Sequence, residues 1–470
     1  MRGNDEIHRT DVERIAKPEC PMEKRLTIDL RNSPFVSRHS SFNQSASVLV
    51  GLLWCMALVA VIVVGVLHSA RLHLMVGKNY SDKIQARYLA LAGIEKARAL
   101  LYRDAIGRRQ AEKNHTGELY DSPGEFREIK LGPGTFSVIR QGRMDEGGGI
   151  FFGISDEESR LNVNEAKPEE LTKINGLTAD IVAAIADWKD EDNNVSPGGA
   201  EAEYYTSLRP PYVPRNGPLL TVRELLMVRG ISPELLLGSD MMQNQSTANG
   251  PVPMEEGLWN YLTVDGWTQN VNAKGDARVN IQTADEASLT AVSGITREIA
   301  QAITTYRNDK KLENLADLLE VTAPRTGRGR RTGSAANASG PLVINQELFL
   351  EIADSLSAET VSEQRGLINI NTASAQVLGW LPGVTPELAG EIISYRNSNG
   401  FFPNIAWLLK VPGMSRDLFK QLANRVTARS ETFRIVSEGV IRSTGARQRV
   451  EAVVQVSSRD VITLAWREDL

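Results

Sequence analysis

An acidic segment in the middle of the chain contains the residue types that bind divalent cations. The acidic and amide side chains are Asp187, Asp190, Glu191, Asp192, Asn193 and Asn194, with Glu201 and Glu203 after the Gly-rich sequence SPGG. Calcium takes about six to eight oxygen ligands, which such a segment can supply. A solvated acidic loop without metal has the same composition, and the segment lacks the EF-hand pattern. If the segment binds calcium, the predicted ligands are Asp187, Asp190, Asp192 and Glu201.

Residue types that most metal centres and hydrolases need are missing from most of the chain. The cysteines are Cys20 and Cys55, and the histidines lie at positions 8, 39, 68, 73 and 115. A Cys-ligated zinc site, a disulfide framework or a His-dependent triad is therefore excluded beyond residue 115. The sequence also has no P-loop, nucleophile elbow or Rossmann fingerprint, so we predict no enzyme and no catalytic residues.

Composition describes a mildly acidic protein with several globular parts. The 470 residues, at about 150 per domain, allow about three domains. Hydrophobic residues make up 41% and charged residues 24%, which is typical of a globular chain. The formal net charge is -5, which argues against a protein dominated by contacts to nucleic-acid phosphates.

One uninterrupted apolar segment, residues 48–67, reads VLVGLLWCMALVAVIVVGVL. At about 1.5 Å per residue it is long enough to cross a hydrocarbon core of about 30 Å. A secretory signal peptide would have a shorter apolar region of about 7 to 15 residues. The following sequence has no Pro and places Ile84, Tyr88 and Leu91 at near-helical spacing. We predict one transmembrane and amphipathic helix over residues 47–101, preceded by an unstructured leader at 1–46.

Three segments of the chain, residues 161–189, 279–307 and 368–396, align without gaps. In each, an Asn stands fourteen positions before a Gly, and an aromatic residue follows twelve positions after that Gly. The repeated residues are Asn162, Asn280 and Asn369, then Gly176, Gly294 and Gly383, then Trp188, Tyr306 and Tyr395. Such self-similarity indicates a repeated supersecondary unit.

The repeats are predicted to be helical hairpins. The Gly supplies a left-handed turn after one helix, and Thr178, Thr296 or Thr385 can cap the next. Residues 221–235 and 404–418 repeat the pattern around Gly230 and Gly413, whereas residues 315–321 are followed by a Gly/Arg/Ser-rich stretch. The resulting assignment is hairpin units at 161–240 with the acidic loop, at 278–322 and at 367–428, and a flexible linker at 323–341.

Alternating apolar and polar residues flank the repeats on both sides. GTFSVIRQG and IFFGIS precede them, and FRIVSEGVI, QRVEAVVQV and VITLAW follow them. This alternation predicts half-buried antiparallel strands. We predict one discontinuous sheet from residues 130–160 and 430–468, covered by the amphipathic helix, because a half-buried sheet needs an apolar partner.

The hairpins resemble helix-hairpin-helix modules of competence DNA receptors and DNA repair proteins, most clearly in INTAS, LPGV and YRNSNGFFPNIAWLLKVPGM. The resemblance implies sequence-independent DNA binding through backbone N–H groups of the turn. Thr178, Thr296 and Thr385 replace the second Gly of such modules. The first copy, taken with the adjoining Asp190, has three Lys against six acidic residues. The third copy is mildly basic through Arg396, Lys410, Arg416, Lys420 and Arg425. We therefore predict protein contact, with nucleic acid as the weaker alternative.

The whole chain resembles the general secretion pathway protein K family, the large minor pseudopilin of type II secretion. The resemblance rests on SVLVGLLW, ARYLALAGIEKARALL, LNVNEA, DWKDEDN and PPYVPRNGPLLTVREL, together with the C-terminal strands. It implies an α+β fold, in which a type IV pilin-like long N-terminal helix packs on an antiparallel sheet. A large all-α domain of helix-hairpin-helix (SAM-like) repeats is inserted into that sheet.

The resemblance also implies a function without catalysis. The chain would cap the pseudopilus tip and support export across the outer membrane, anchored once in the bacterial inner membrane with its bulk in the periplasm. Expected partners are other minor pseudopilins, the major pseudopilin, the inner-membrane secretion platform and a prepilin peptidase cutting between Ala46 and Ser47. Family members bind calcium near the acidic loop, and they lack the intramembrane Glu whose position Gly51 occupies here. The alternative is a membrane-anchored helix-hairpin-helix receptor for DNA uptake.

Overall fold

The computed structural model describes residues 44–114, 117–238, 257–323, 341–457 and 459–468. The chain divides into two units, residues 1–73 and residues 74–470. In the first unit, residues 48–73 are exposed along their whole length. Within the described residues, one helix is long and apolar enough to cross a membrane. The predicted leader lies mostly outside the described residues.

Helices, in chain order, have the following bounds. They are α1 (Gln44–Gln110), α2 (Pro123–Phe126), α3 (Pro168–Leu171), α4 (Ala179–Lys189), α5 (Ala202–Ser207), α6 (Pro233–Leu237), α7 (Glu286–Thr290), α8 (Arg297–Asp309), α9 (Gln346–Ile352), α10 (Ala375–Trp380), α11 (Pro386–Asn399) and α12 (Arg416–Leu422). Helix α1 ends beyond the predicted residue 101, and an Asp104–Arg108 ion pair of 2.8 Å joins consecutive turns of this added segment. The predicted cleavage residues Ala46 and Ser47 lie in its first turn.

The strands are short except at the C-terminus. They are β1 (Ile129–Leu131), β2 (Gly134–Gln141), β3 (Ile150–Phe151), β4 (Ser155–Asp156), β5 (Leu161–Asn162), β6 (Leu262–Thr263), β7 (Trp267–Gln269), β8 (Val279–Asn280), β9 (Leu356–Ser357), β10 (Glu363–Arg365), β11 (Ile368–Asn369), β12 (Val426–Thr427), β13 (Thr432–Ile441), β14 (Ala446–Val456) and β15 (Val461–Glu468).

The main sheet combines strands from both ends of the second unit. Its order among the described residues is β1-β2-β13-β14-β15, with β3 added to β2 and β4 added to β13. All pairs are antiparallel, and Val436 of β13 lies opposite Ile139 of β2. The helical repeats are therefore inserted between β4 and β13 of one sheet.

Within the second unit, helix α1 packs closely on this sheet. Ala90, Ile94 and Leu101 are buried in one cluster with sheet residues such as Ile435 and Val450. Two glycines permit the close approach: a Cβ at position 93 would lie 2.1 Å from the Ser437 hydroxyl, and one at position 439 would lie 2.0 Å from the Ala86 carbonyl oxygen. The predicted fold class, a long helix packed on an antiparallel sheet, is confirmed.

Each helical unit is closed by a parallel strand pair that the sequence did not reveal. Strand β5 pairs with β6, β8 with β9 and β11 with β12. The repeated Asn ends the first strand of each pair. Its side-chain oxygen accepts from the N–H two residues later, at 2.9 Å for Asn162, 2.8 Å for Asn280 and 2.9 Å for Asn369. The spacing of the repeat therefore starts at a side-chain turn that redirects the chain into the hairpin.

The five turn glycines all have positive φ, from 69° at Gly383 to 92° at Gly176 and Gly294. Thr178, Thr296 and Thr385 cap α4, α8 and α11 by accepting from the N–H three residues later. The first hairpin of each unit faces the helix of the second: a Cβ on Gly176, Gly294 or Gly383 would contact Leu235, Leu348 or Leu418. Each unit is thus two hairpins packed on each other.

The second hairpin unit, predicted at 278–322, continues beyond residue 322. Helix α9, capped by Asn345, occupies the place that α6 and α12 occupy in the other units, since Leu348 lies against Gly294. The predicted linker is 323–341, and all of it except its two end residues lies outside the described residues. The first hairpin unit also extends, from its predicted end at residue 240 to Thr263 of β6. The second hairpin of this hairpin unit was missed because the insertion separates residues 315–320 from helix α9.

Candidate cation site and hairpin turns

Three of the four predicted calcium ligands converge around the end of α4. Asp187 lies in the last turn of α4, Asp190 caps its C-terminus, and Glu201 stands at the N-cap of α5. One carboxylate oxygen from each residue lies within 4.8 Å of the others. The loop between the two helices therefore folds back to bring Glu201 to the pair, which spacing alone did not predict.

The carboxylates at this site are poorly satisfied by the protein itself. Glu201 is 2% exposed. Both of its carboxylate oxygens, and Oδ1 of Asp190, are buried with no hydrogen-bond partner in the described part of the chain. Asp187 is fully buried and accepts from the Ser196 N–H at 3.1 Å. Because a buried, unpaired carboxylate is costly, a cation or protons would stabilise these oxygens.

Two glycines allow the loop to approach the carboxylates. Gly198 has a φ of 83°, and a Cβ at Gly199 would lie 2.0 Å from an Asp187 carboxylate oxygen. A residue larger than Gly at position 199 would displace Asp187. The SPGG sequence is thus required by close packing at the acidic cluster.

The electrostatics of the cluster match a cation site. Burial raises the pKa of Asp190, and the charges of Asp192 and Asp187 raise it further. Burial also raises the pKa of Glu201, and Asp190 and Asp187 add to that increase. A bound divalent cation would reverse this repulsion, and oxygen-only donors with a hard anionic character fit calcium. The residues present therefore fit the ion that the family resemblance implies.

Asp192, the fourth predicted ligand, is not part of the converging group. It is exposed, and its Oδ1 accepts from the Asn194 N–H at 2.7 Å. Two residues that the sequence did not single out fasten the loop instead. Asn216 donates to the Asp192 carbonyl oxygen at 2.7 Å, and Arg229 donates to the Gly199 carbonyl oxygen at 2.8 Å. Nothing in the sequence marks Arg229 for this role, because the contact joins residues far apart in the chain.

The basic residues of the third hairpin unit are mostly engaged inside the protein. Lys420 pairs with Asp317 and with Glu320 of the second hairpin unit. Arg425 pairs with Glu170 of the first hairpin unit. Arg396 donates to the carbonyl oxygens of Ile370 and Ala373, at 3.1 and 2.7 Å. Lys420 and Arg425 thus join the hairpin units, and Arg396 braces the third one internally. The donor atoms in these contacts are not available to a DNA phosphate.

The turn of the third unit is also covered from the first unit. Lys173 donates to the Leu381 carbonyl oxygen, two residues before Gly383. The remaining basic pair behaves differently, since the Lys410 ammonium lies 3.9 Å from the centre of the Trp407 ring and Arg416 is exposed. The geometry that would present turn amides to a phosphate backbone is therefore partly occupied by the protein.

Two known families match parts of the chain. Residues 160–238, which include the acidic cluster, match "Type II secretion system (T2SS), protein K". Residues 274–323 and 363–427 match "Helix-hairpin-helix motif". The second match covers the two units whose hairpins pack without an acidic loop.

Curated relatives fall into different functional classes. Type II secretion system protein K of Pseudomonas aeruginosa is 27% identical over 61% of this chain and 90% of its own length. ComE operon protein 1 of Bacillus subtilis is 34% identical over 28% of this chain and 60% of its own length. Endonuclease/exonuclease/phosphatase family domain-containing protein 1 of Xenopus laevis is 31% identical over 32% of this chain. The matched part of the chain spans only 27% of the length of this Xenopus laevis protein.

A solved structure, the GspK-GspI-GspJ complex of the enterotoxigenic Escherichia coli type 2 secretion system, is similar over 85% of this chain and 99% of its own. The identity is 12% and the TM-score is 0.41. The family resemblance predicted from the motifs is confirmed: the chain carries a type II secretion system protein K domain at residues 160–238 together with helix-hairpin-helix motifs.

Proposed function

We propose that the chain is a minor pseudopilin of the type II secretion system that caps the pseudopilus tip and supports protein export across the outer membrane. The observation that carries this proposal is the protein K domain, inserted into a sheet that packs on the second part of an apolar-anchored helix. The similarity to protein K of Pseudomonas aeruginosa over 90% of that relative supports it. The role is assembly and contact, without a reaction.

A tip position is supported by the bulk of the insert and by the anchor. The described residues between β4 and β13 form helical units inserted into the sheet. We infer that a further subunit stacked above would meet this insert. Gly51 stands in the apolar segment, which contains no carboxylate. An ionised group inside a membrane is costly unless it is paired, which suits a subunit with no neighbour to pair with at that place.

The proposed partners are other minor pseudopilins, with the major pseudopilin, the secretion platform and a prepilin peptidase acting during assembly. The proposed location is the bacterial inner membrane, crossed once, with the second unit in the periplasm. A surface for the partners lies where Arg87 of α1 pairs with Glu468 of β15 at 2.5 Å. Tyr88 and Trp466, which adjoin this pair, are 60% and 41% exposed, and exposed aromatic residues are typical of interfaces.

We also propose that Asp187, Asp190 and Glu201 hold calcium. Bound there, the ion would supply positive charge to the buried carboxylates and fix the loop between α4 and α5. The protein's own residues position the ligands: Gly199 permits the close approach, and Arg229 and Asn216 fasten the loop. The ion is structural in this proposal.

A DNA receptor is the competing function. It is favoured by the helix-hairpin-helix match and by the similarity to ComE operon protein 1. Against it stand the internal ion pairs of Lys420 and Arg425 and the contact of Lys173 with the third turn. A phosphate-binding protein needs such side chains free, because the contacts to phosphate provide most of the affinity.

The two functions separate in a pair of measurements on the same purified full-length chain in detergent. The chain is expected to co-purify with the other minor pseudopilins of its system when they are produced together. In an electrophoretic mobility assay at low salt it is expected to leave duplex DNA unshifted. A shift that collapses steeply as salt rises, combined with failure to retain any minor pseudopilin, would contradict the proposal.

A further inference from the structure

A cavity of about 460 Å³ lies within residues 74–470, and its lining does not include the acidic cluster. Its walls come from the β2–β3 hairpin, from the segment around residues 155–160, and from helix α11 of the third hairpin unit. The volume is within the range of about 300–1,000 Å³ that small-ligand sites occupy. Neither the protein K domain nor the hairpin turns account for it.

Arginine is the commonest charged residue in the lining of this cavity: Arg140, Arg434 and Arg449 lie there beside Arg143, Arg160 and Arg396. The side chains of Arg143, Arg160 and Arg396 are 18%, 11% and 9% exposed. Burial lowers the pKa of Arg160 and of Arg396 to about 10 each, and the charge of Arg143 contributes to the decrease at both. The Arg143 guanidinium therefore lies close enough to Arg160 and to Arg396 to disfavour the charge of each.

The hydrogen-bond donors of these arginines are only partly used. Nη1 of Arg160 is buried without a hydrogen-bond partner in the described residues, and its nearest carboxylate, Glu157 at 3.3 Å, is bound by Arg434 at 2.7 Å. Arg396 spends Nη1 on two carbonyl oxygens, and its Nη2 lies 3.9 Å from Asp145. Arg143 shares Asp145, at 3.4 Å, and its Nη2 lies 3.6 Å from Glu146. A guanidinium has five N–H donors, so these contacts leave donors of the three arginines unused.

We propose that this cavity is a binding site for a carboxylate. The planar guanidinium fork matches a carboxylate with two parallel hydrogen bonds. The carboxylates of Asp121, Asp145, Glu146, Asp156 and Glu451 also line the cavity, so a single negative charge is favoured over a phosphate dianion. The carboxylate belongs either to an acidic side chain of a protein partner or to a free small acid. This inference does not depend on the proposed role in secretion.

The test uses the full-length chain in detergent and two probes. Succinate represents a free acid, and the peptide acetyl-Ala-Glu-Ala-amide represents an acidic side chain. Succinamide and the Gln version of the peptide are their neutral counterparts. Binding is measured by calorimetry and by the shift of the thermal unfolding midpoint, for the natural chain and for Arg143→Gln, Arg160→Lys and Arg447→Gln. Arg447 is the control, because its side chain is 67% exposed and lies outside the cavity.

The expected result is saturable binding of at least one acidic probe, no binding of its neutral counterpart, and a loss of affinity of at least about tenfold in Arg143→Gln, since each charge-assisted hydrogen bond is worth about 1.5–3 kcal/mol. Arg447→Gln should bind normally. Arg160→Lys keeps the positive charge but removes the planar guanidinium fork. It replaces Arg143→Gln in the test if Arg143→Gln fails to fold, and the same loss of affinity is then expected of it. Binding of the peptide alone indicates a protein partner, and binding of succinate alone indicates a free acid. No saturable binding of either probe, or equal binding by Arg143→Gln and the natural chain, would overturn the proposal.

Discussion

Replacing Glu157 with Gln is expected to lower the free energy of unfolding by about 3–5 kcal/mol. The buried guanidinium of Arg434 would lose its nearest counter-charge and keep the more distant carboxylate of Glu451, at 3.6 Å. Glu157 is fully buried, and its two oxygens accept from Arg434 at 2.7 and 3.1 Å. The Thr263 hydroxyl donates to the same carboxylate. The pair therefore joins β13 of the sheet to β6, the strand that closes the first helical unit.

The pH dependence of this contribution has a defined sign. Burial raises the pKa of Glu157, but the charges of Arg434 and Arg160 and the hydrogen bonds from Arg434 and Thr263 outweigh it, and the pKa falls from 4.5 to about 2. A carboxyl with a lowered pKa stabilises the folded chain above its ordinary pKa and loses that effect as the pH falls from about 4.5 to about 2. In Glu157→Gln this part of the acid dependence should disappear.

Urea unfolding of the full-length chain in detergent, followed by circular dichroism, measures the effect of Glu157→Gln. The matched control is Glu95→Gln, since Glu95 is 65% exposed and pairs with Arg98 one turn away on α1. Exposed pairs contribute about 0–1 kcal/mol. If the two variants lose the same stability, the buried pair is not what joins the sheet to the first unit.

Calcium is expected to raise the unfolding free energy by about 2.7 kcal/mol at a concentration of one hundred times its dissociation constant. Glu201→Gln should remove this gain. In the presence of EGTA the same variant is expected to be at least as stable as the natural chain, because it removes a carboxylate whose pKa is raised by burial and by Asp190 and Asp187. The opposite effects with and without calcium distinguish a metal ligand from a structural residue.

The pH dependence of the cation site runs opposite to that of Glu157. Since the pKa values of Asp190 and Glu201 are raised, the calcium-free fold takes up protons more readily than the unfolded chain. Its stability should therefore fall as the pH rises through those pKa values, and the gain from calcium should grow over the same range. Asp192→Asn, which changes an exposed residue outside the converging group, is the control. Equal unfolding midpoints in calcium and in EGTA between pH 5 and 8 would contradict the site.

Local patterns in the sequence predicted the parts of the fold that depend on neighbours in the chain. The apolar segment at 48–67, the glycine turns and the Thr caps each act within a few residues, so their spacing is visible without a structure. Strand alternation predicted the antiparallel sheet for the same reason. Asp187 and Asp190 belong to this class, since the end of one helix brings them together.

The remaining features depend on contacts that no local pattern contains. Arg434 and Glu157 are separated by 277 positions, and Arg425 reaches Glu170 across 255. The parallel pairs that close the helical units join strands of two residues, which have too little alternation to predict. The last helix of the second unit, α9, was missed because an insertion interrupts its hairpin. The arginine cavity likewise exists only after the third unit packs beside the β2–β3 hairpin.

The central claim, a role in type II secretion, is tested most directly by deleting the gene for this chain in its own host and measuring the amount of a type II exported protein in the medium. We expect the exported protein to accumulate inside the cells of the deletion strain. The natural chain supplied from a plasmid should restore its export. Export at the normal level in the deletion strain, together with loss of DNA uptake, would contradict the account and favour the DNA receptor.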